Sequence, residues 1–242
     1  MTTPADSPNR RMLARAAHRP GPLREQVTFV GGQAAEMLIT DPAAARIRPT
    51  DDVDVIVAVT TRSAYDRLGA RLRAVGFQED RTPGAPLCRW RAPDGVVLDV
   101  MPIEEAVLGF SNRWYPMGLA TAMPYDLGDG VTLRIVSAPV FLATKWVAFD
   151  QRGAGDHLGS RDVEDILAVV AGRPELAAEV RAADGTLRRW LAERTRAFLS
   201  HPDSADALAG ALPDARFDRT LLQRVRQRLE ALTRGSGAPP AT

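Results

Sequence analysis

The chain has 242 residues, of which 45% are hydrophobic, and a formal net charge of +1 at pH 7. This length and composition predict a soluble globular protein, and the near-neutral charge excludes a global field that draws the protein to nucleic acid. No apolar stretch is long enough to cross a bilayer and no signal-peptide pattern is present, so we expect a cytoplasmic protein with no membrane partner.

The N-terminal part of the chain predicts alternating strands and helices. Residues 1–24 are polar and proline-rich, which predicts a flexible segment with a short helix near residues 11–17. Apolar runs predict strands over residues 27–30 and 53–59. The helices predicted between and after these strands cover residues 33–39 and 63–75, and the second has an apolar stripe with a 3.6-residue period.

The middle of the chain predicts a hairpin, and the C-terminal part is helical. The hairpin strands are predicted over residues 87–91 and 96–101, with a further strand over residues 131–136. Residues 103–129 are predicted to be irregular, with Trp114 and Tyr115 packed in a satellite core rather than lining a cleft. Helices are predicted over residues 139–151, 161–170, 174–183, 187–199 and 217–232.

These elements predict an α+β fold: a mixed β-sheet with flanking helices, followed by a C-terminal helical bundle. The predicted divisions are a flexible segment over residues 1–24, a sheet-containing core over residues 25–136, a helical domain over residues 137–234 and a disordered tail over residues 235–242.

Three aspartates lie in or beside predicted strands. Asp52 and Asp54 are two residues apart, so a strand aims both carboxylates at one spot. Such like charges repel unless a cation lies between them, and hard oxygen ligands suit Mg²⁺. Asp99, inside another apolar run, supplies a third carboxylate, and three such acids can hold the two metal ions of a nucleotidyl-transfer site. The alternative is that these acids are strand caps or a solvated rim.

Gly31 and Gly32 follow the first predicted strand. Glycines there let the backbone approach phosphates, with amide hydrogens at the start of the next helix pointing at them. The alternative is that the two glycines only make the turn.

Lys145 is the single lysine among 31 basic residues. A compact ammonium suits a phosphate oxygen or proton transfer, whereas arginine is a permanently charged planar fork. Lys145 shares a face of its predicted helix with core residues, and Arg152 lies two turns on along the same face. Asp162 and Asp165 likewise share a face with core residues in the next helix. These inward charges need partners, and a structural ion-pair network is the alternative to a role in catalysis.

The order of these motifs resembles the AbiEii-type nucleotidyltransferases, toxin components of type IV-like toxin–antitoxin and abortive-infection systems in the DNA polymerase β-like superfamily. The motifs that carry the resemblance are Phe29-Val30-Gly31-Gly32-Gln33-Ala34, Arg48-Pro49-Thr50-Asp51-Asp52-Val53-Asp54, Leu98-Asp99-Val100-Met101-Pro102, Leu142-Ala143-Thr144-Lys145, Arg152-Gly153 and Ser160-Arg161-Asp162-Val163-Glu164-Asp165. Residues 151–160 form a longer connection than is typical of the family.

The resemblance implies a nucleotidyltransferase-like fold and transfer of a nucleotide from an NTP, with two Mg²⁺ ions or with Mn²⁺. For several members the acceptor is the 3′ end of tRNA, which blocks translation, and a cognate antitoxin protein is an implied partner. The metal ligands expected on this basis are Asp52, Asp54 and Asp99. The catalytic residues expected are these three with Lys145 and Asp162 or Asp165, and the nucleotide-binding residues are Gly31, Gly32, Arg48, Lys145 and Arg152.

Three other functions fit parts of the sequence. Arg152 and His157 match the spacing of HEPN ribonucleases, although that motif belongs on a helix and is glycine-rich here. A small-molecule nucleotidyltransferase, such as one that modifies an aminoglycoside, uses the same first three acids. A non-catalytic antitoxin or binding module is the third alternative. Arginine-rich C-terminal helices favour RNA as the acceptor.

Overall fold

The computed structural model of the protein describes residues 7–19, 21–44, 47–128, 130–152, 155–212 and 219–234. The chain forms two compact units. Unit 1 contains Met1–Met37 and Arg48–Ser137, and unit 2 contains Leu38–Ile47 and Ala138–Thr242. The predicted disordered tail, residues 235–242, lies outside the described residues. No helix among the described residues combines the length and apolar character needed to span a membrane.

Unit 1 is built on a seven-stranded mixed sheet with the strand order β3-β4-β5-β2-β1-β7-β6. The strands are β1 (Val27–Val30), β2 (Val53–Val57), β3 (Gln78–Glu79), β4 (Arg89–Arg91), β5 (Val97–Pro102), β6 (Met123–Gly128) and β7 (Val131–Ile135). The helices of this part of the chain are α1 (Pro8–His18), α2 (Gly31–Leu38), α3 (Arg62–Ala74), α4 (Glu105–Leu108) and α5 (Tyr115–Ala120). The α+β prediction is confirmed.

One face of the sheet packs against helices. Tyr65, Leu68 and Leu72 are the buried stripe of α3, and the Tyr65 hydroxyl donates a hydrogen bond to the Val100 carbonyl at 2.9 Å. A small apolar cavity on this face is lined by residues of α1, α3, β1, β2 and β5, among them Ala16 and Phe29. The stripe predicted for α3 therefore faces the sheet, as a 3.6-residue period requires.

The N-terminal segment is helical rather than flexible over its described residues. Ser7 caps α1 by accepting a hydrogen bond from the Arg10 amide, and Leu13, Ala16 and Ala17 are buried. Asn9, 2% exposed, donates to the Arg48 carbonyl at 3.0 Å and accepts from the Thr50 amide at 2.9 Å. The short helix predicted near residues 11–17 thus extends over Pro8–His18.

Residues 103–129 contain more regular structure than the sequence predicts. They form α4, α5 and the strand β6, which pairs antiparallel with β7 at the edge of the sheet. Pro124 lacks an amide donor, and an edge strand is where a sheet tolerates that loss. Trp114 and Tyr115 are buried, which confirms that they pack in a core.

Unit 2 is helical. Its helices are α6 (Ala138–Arg152), α7 (Arg161–Gly172), α8 (Leu176–Ala182), α9 (Gly185–Leu199), α10 (Ser204–Ala211) and α11 (Arg219–Thr233). Trp146 of α6 packs on Phe149 and Phe198, with ring centroids 6.0 and 5.5 Å apart. The helix α10 was not predicted, and residues 217–218 of the last predicted helix lie outside the described residues.

Unit 2 also contains a segment from the N-terminal part of the chain. The amides of Thr40 and Asp41 both donate to the Gly172 carbonyl at 3.0 Å, and Arg173 donates to the Leu38 carbonyl at 2.7 Å. A Cβ on Gly172 would lie 2.8 Å from a side-chain carbon of Ile39, so the two segments approach closely. The contiguous division predicted at residue 136 therefore omits residues 38–47 from the helical unit.

We predict that Asn9→Ala loosens the loop that precedes β2. The variant loses both hydrogen bonds to residues 48 and 50, and an unmet buried backbone group costs about 1–3 kcal/mol. Hydrogen exchange at the Thr50 amide should accelerate. Asn112→Ala is the control, because Asn112 is also buried but bonds the local Trp114 amide. Equal Thr50 exchange in the parent and Asn9→Ala proteins would contradict the prediction.

Candidate active site

Asp54 and Asp99 face each other across two neighbouring strands. β2 and β5 are parallel, and their register pairs Asp54 with Asp99. Residues paired in register point to the same face of a sheet, and this face is opposite to the one that packs on α3. The sequence prediction that these acids come together is therefore supported by the strand pairing.

Gly31 lies directly against Asp54. β1 and β2 are antiparallel with Val30 opposite Asp54, so the residue after β1 reaches the acidic end of β2. Gly31 has a φ of +70°, and a Cβ at this position would lie 2.7 Å from the Asp54 Cβ and closer still to its carboxylate. Only glycine fits both the left-handed backbone and this close approach. Gly31 and Gly32 form the first turn of α2.

Asp52 lies in the loop before β2. The Thr50 hydroxyl donates to the Asp52 carbonyl at 3.3 Å, and Asn9 holds the backbone of Thr50 and Arg48. Arg48, a predicted nucleotide-binding residue, is half-buried in this loop. The position of Asp52 thus depends on α1, an element that the sequence did not predict to be ordered over this length.

Arg89 joins two of the three acids, and it was missed by the sequence analysis. Its Nε donates to Asp99 Oδ1 at 2.9 Å, and its Nη2 donates to Asp99 Oδ2 at 2.7 Å and to Asp52 Oδ2 at 2.6 Å. The hydrogen bonds that Arg89 donates to Asp99 raise the pKa of Arg89, so the guanidinium stays charged. A signal was present in the sequence, because the turn at residues 92–95 sets a hairpin register that places Arg89 opposite Asp99.

The acids have the right chemistry for a divalent ion but not the right arrangement. Carboxylate oxygens are the donors that Mg²⁺ prefers. Among the described residues, however, no three His, Cys, Asp or Glu side chains are grouped so that they could hold a metal. Asp52 and Asp99 direct oxygens at Arg89 instead. As arranged here, these side chains do not fit a bound metal ion.

The other predicted residues form a second group, within unit 2. Lys145 Nζ lies 2.6 Å from Asp165 Oδ2 and 3.1 Å from Asp162 Oδ1. Arg152 bonds the Asp162 carboxylate with two nitrogens, at 2.9 and 3.0 Å. Two cations and two carboxylates thus balance, which is the ion-pair network considered as an alternative in the sequence analysis. It links α6 to α7.

The burial of this group makes its charges interdependent. The side chains of Lys145 and Asp162 are 8% and 4% exposed, whereas that of Arg152 is 70% exposed. Burial acts to raise the pKa of Asp162, but the hydrogen bonds and charges of Arg152 and Lys145 outweigh it, and the pKa lies below its usual range. Asp162 is therefore ionised at neutral pH.

His157 does not have the surroundings that a ribonuclease site needs. It lies in a turn after α6, and its ring stacks on His201 with centroids 4.0 Å apart. Its Nδ1 is 2.9 Å from the Gly155 carbonyl, and burial lowers its pKa. Residues 153–154 of the predicted motif lie outside the described residues. The described part of the motif is not on one helix, which argues against the ribonuclease hypothesis.

Comparison with known proteins gives little further guidance. No family model and no curated protein matches the sequence. Among solved structures, the chain is similar to an antigenic nucleotidyltransferase-like protein from Paracoccidioides brasiliensis. The two are 21% identical, the match covers 87% of this chain and 96% of that one, and the TM-score is 0.47. A likeness this weak carries no argument about activity.

We predict that Gly31→Ala destabilises unit 1 more than a change that introduces backbone strain alone. Backbone strain from a left-handed non-glycine residue costs about 1–3 kcal/mol, and displacement of Asp54 adds to it. Gly84→Ala is the matched control, because Gly84 has a φ of +85° and open space around it. Urea unfolding compares the two variants. Equal losses would show that contact with Asp54 adds nothing.

We predict that Lys145→Met destabilises unit 2 by about 3–5 kcal/mol, because it removes the buried ammonium that pairs with both Asp162 and Asp165. Arg152→Gln is the comparison and should cost less, since Arg152 is mostly exposed. A carboxyl with a lowered pKa contributes stability above its unfolded pKa, near 4, and loses it as the pH falls. The cost of Lys145→Met, measured by urea unfolding, should therefore shrink below about pH 4. A cost that is small or independent of pH contradicts the prediction.

Proposed function

We propose that the protein is a nucleotidyltransferase that moves a nucleotide from an NTP to an acceptor hydroxyl. The observation that carries this proposal is the register of β2 and β5, which puts Asp54 and Asp99 side by side on one face of the sheet. Asp52, joined to Asp99 through Arg89, adds a third carboxylate. Two acids paired on one sheet face, with a third in the adjacent loop, repel one another unless positive charge lies between them.

The turn at Gly31 supports a phosphate-binding role. Its backbone lies against Asp54, and the amides of Gly31 and Gly32 belong to the first turn of α2, where helix amides lack partners within the helix. Such amides and the positive end of the helix dipole favour anions. We therefore propose that these amides bind the phosphates of the NTP next to the acids.

We also propose that activity depends on Mg²⁺, with Mn²⁺ as a substitute, and that two ions bind. Asp52, Asp54 and Asp99 would hold these ions only once Arg89 no longer binds Asp52 and Asp99, and the ions would then supply charge that neutralises the triphosphate. In the protein without metal, Arg89 holds Asp52 and Asp99 together in a charge-balanced arrangement.

The charged group of unit 2 is proposed to act in two ways. Lys145 is largely buried and pairs with both acids, so we assign it a positioning role for Asp162 and Asp165. Arg152 exposes 70% of its side chain and is the member proposed to contact a nucleotide. Arg48 in unit 1 keeps its proposed role in nucleotide binding.

For the acceptor we propose RNA, and specifically the 3′ end of tRNA, with blocked translation as the outcome. This choice of acceptor depends on the motif resemblance. The same resemblance is the basis for proposing that the protein is an AbiEii-type toxin and that it has a cognate antitoxin partner. The arginines of α9 and α11 give limited support to RNA binding, because some of them already bind groups within the protein. Arg194 pairs with Asp150 and lies over Trp146, and Arg228 donates to the Val170 carbonyl.

The test is label transfer from each α-labelled NTP, with Mg²⁺ or Mn²⁺, to total RNA and, separately, to a panel of aminoglycosides. Asp54→Asn and Asp99→Asn should each lower transfer by at least about 100-fold, the effect of removing one major electrostatic contributor at an active site. Asp126→Asn is the matched control, since it makes the same change at an exposed position on β6.

Label on tRNA that is lost in both acid variants supports the full proposal. Label on an aminoglycoside alone supports nucleotidyl transfer and overturns the RNA acceptor. RNA cleavage that requires His157, or nucleotide binding with no transfer to any acceptor, overturns the proposed function.

A further inference from the structure

The helical layer on one face of the unit 1 sheet is strongly basic. This layer consists of α1, α3 and the short helical segment Gly21–Gln26. These three elements contain eight arginines and only two acids, Glu25 and Asp66. The whole chain, by contrast, has 31 Lys and Arg residues against 30 acids. Positive charge is therefore concentrated in this layer rather than spread evenly over the protein.

The basic side chains of this layer face outward. Arg11, Arg15 and His18 follow one another at intervals of four and three residues along the exposed side of α1. Arg67 and Arg71 lie four residues apart on the exposed side of α3. Residues at these spacings are neighbours on a helix surface. These five residues define the α1–α3 basic surface.

The two helices meet at this surface. Arg15 and His18 line a shallow depression of about 620 Å³ together with Val75, which directly follows α3. Arg71 donates a hydrogen bond to the Gln26 side-chain oxygen at 2.8 Å, in the segment that joins α1 to β1. The basic residues of α1 and α3 thus border one stretch of surface.

The hydrogen bonds recorded for these arginines leave their charge in place. Arg15 donates to the Asp94 carbonyl at 3.4 Å and Arg71 to the Gln26 amide oxygen, and both acceptors are uncharged. The nearby Asp94 carboxylate pairs with Arg19 at 2.7 Å instead. Solvated protein surfaces usually intersperse both signs of charge, whereas a patch of one sign attracts a partner of the opposite sign. The α1–α3 basic surface is therefore suited to an anionic partner.

The chemistry of the surface favours a nucleic acid over a protein as that partner. Protein interfaces have an apolar or aromatic core, but the large exposed hydrophobic side chains of the described chain are Leu87, Phe110 and Leu158, all outside this layer. Within the described helices α1 and α3, the one Phe, Tyr or Trp residue is Tyr65, which is buried, so unpaired bases have no such ring to stack on. What remains is a set of guanidinium forks, which match backbone phosphates.

We propose that the α1–α3 basic surface docks the phosphate backbone of a base-paired RNA stem without reading its sequence. That the nucleic acid is RNA rests on the proposed function. Val55 and Val100, the strand neighbours of Asp54 and Asp99, line the cavity beneath α1 and α3, so the acids lie on the opposite face of the sheet. The surface therefore holds the body of the RNA and takes no part in the transfer itself.

Fluorescence anisotropy of a labelled RNA hairpin, without NTP or divalent ion, tests the docking. The Kd is measured over a range of salt concentrations for the parent, for the double variant Arg67→Gln/Arg71→Gln and for Arg62→Gln/Arg81→Gln. The last is the matched control, because it removes the same charge from exposed arginines of unit 1 that already pair with carboxylates.

The Arg67→Gln/Arg71→Gln variant should raise the Kd at low salt by at least about 5-fold. Each phosphate contact contributes about 0.9 to the slope of log Kd against log salt concentration, so the slope should fall by about 2. Arg67→Lys/Arg71→Lys keeps both charges and should retain most of the slope, which separates lost charge from altered folding. The control should keep the Kd and the slope of the parent.

Equal binding by the parent, the double variant and the control overturns the proposal, and so does an equal loss in the double variant and the control. Tighter binding of a single strand than of the hairpin overturns the assignment to a base-paired stem. Displacement of the hairpin by polyglutamate at the same concentration of charge identifies an acidic protein as the partner instead. Loss of binding in Arg224→Gln/Arg226→Gln but not in Arg67→Gln/Arg71→Gln moves the docking to α11 and also overturns the proposal.

The docking surface and the proposed function fail in different ways. If the hairpin binds as expected but no NTP is consumed, the docking surface stands and the proposed function fails. If labelled nucleotide reaches RNA but Arg67→Gln/Arg71→Gln binds the hairpin as the parent does, the proposed function stands and the docking surface fails.

Discussion

The arrangement of unit 1 depends on electrostatic repulsion between acids that the sheet forces together. Strand register leaves Asp54 and Asp99 no freedom to separate, because each is held in a strand that pairs over several residues. The repulsion has to be relieved by a positive group, and Arg89 provides it through the next strand, β4. The close approach of Gly31 and the loop held by Asn9 then set how far the carboxylates can move. One unfavourable interaction thus explains why this end of the sheet needs so many specific contacts.

The part of this arrangement that the sequence predicts is the part with a local signal. The apolar runs around Asp54 and Asp99 have the lengths and periodicity of strands, and Gly31-Gly32 marks the change from β1 to α2, so three of the pieces were predicted. Arg89 was missed because its partner Asp99 is identified only when the register of the predicted hairpin is worked out from its turn. Asn9 was missed for a different reason, since its partners are Arg48 and Thr50, about forty positions away along the chain. Side chains whose partners are distant leave no local pattern.

The differences between the predicted and the observed elements of the fold have similar causes. β6 contains a proline and alternates weakly, and it is a strand because β7 supplies its hydrogen bonds. α1 has little apolar area, and its helical state depends on small residues packed into unit 1. Lys145 is the reverse case. It stood out in the sequence as the single lysine. A buried lysine fits both a structural ion-pair network and a catalytic role, and composition alone does not distinguish the two.

Residues 38–47 belong to unit 2 but are synthesised between the two stretches of chain that form unit 1. A ribosome makes this segment about a hundred residues before α7, whose last residue, Gly172, accepts the hydrogen bonds of Thr40 and Asp41. Those hydrogen bonds cannot form until α7 has been synthesised, so the helical unit has to incorporate a piece of chain that was made long before it. Neither unit is a contiguous stretch, so a gene cut at residue 137 yields two fragments that each lack native contacts. Recombination that exchanges whole units between related genes would need three crossovers rather than one, because the units alternate at residues 37/38, 47/48 and 137/138.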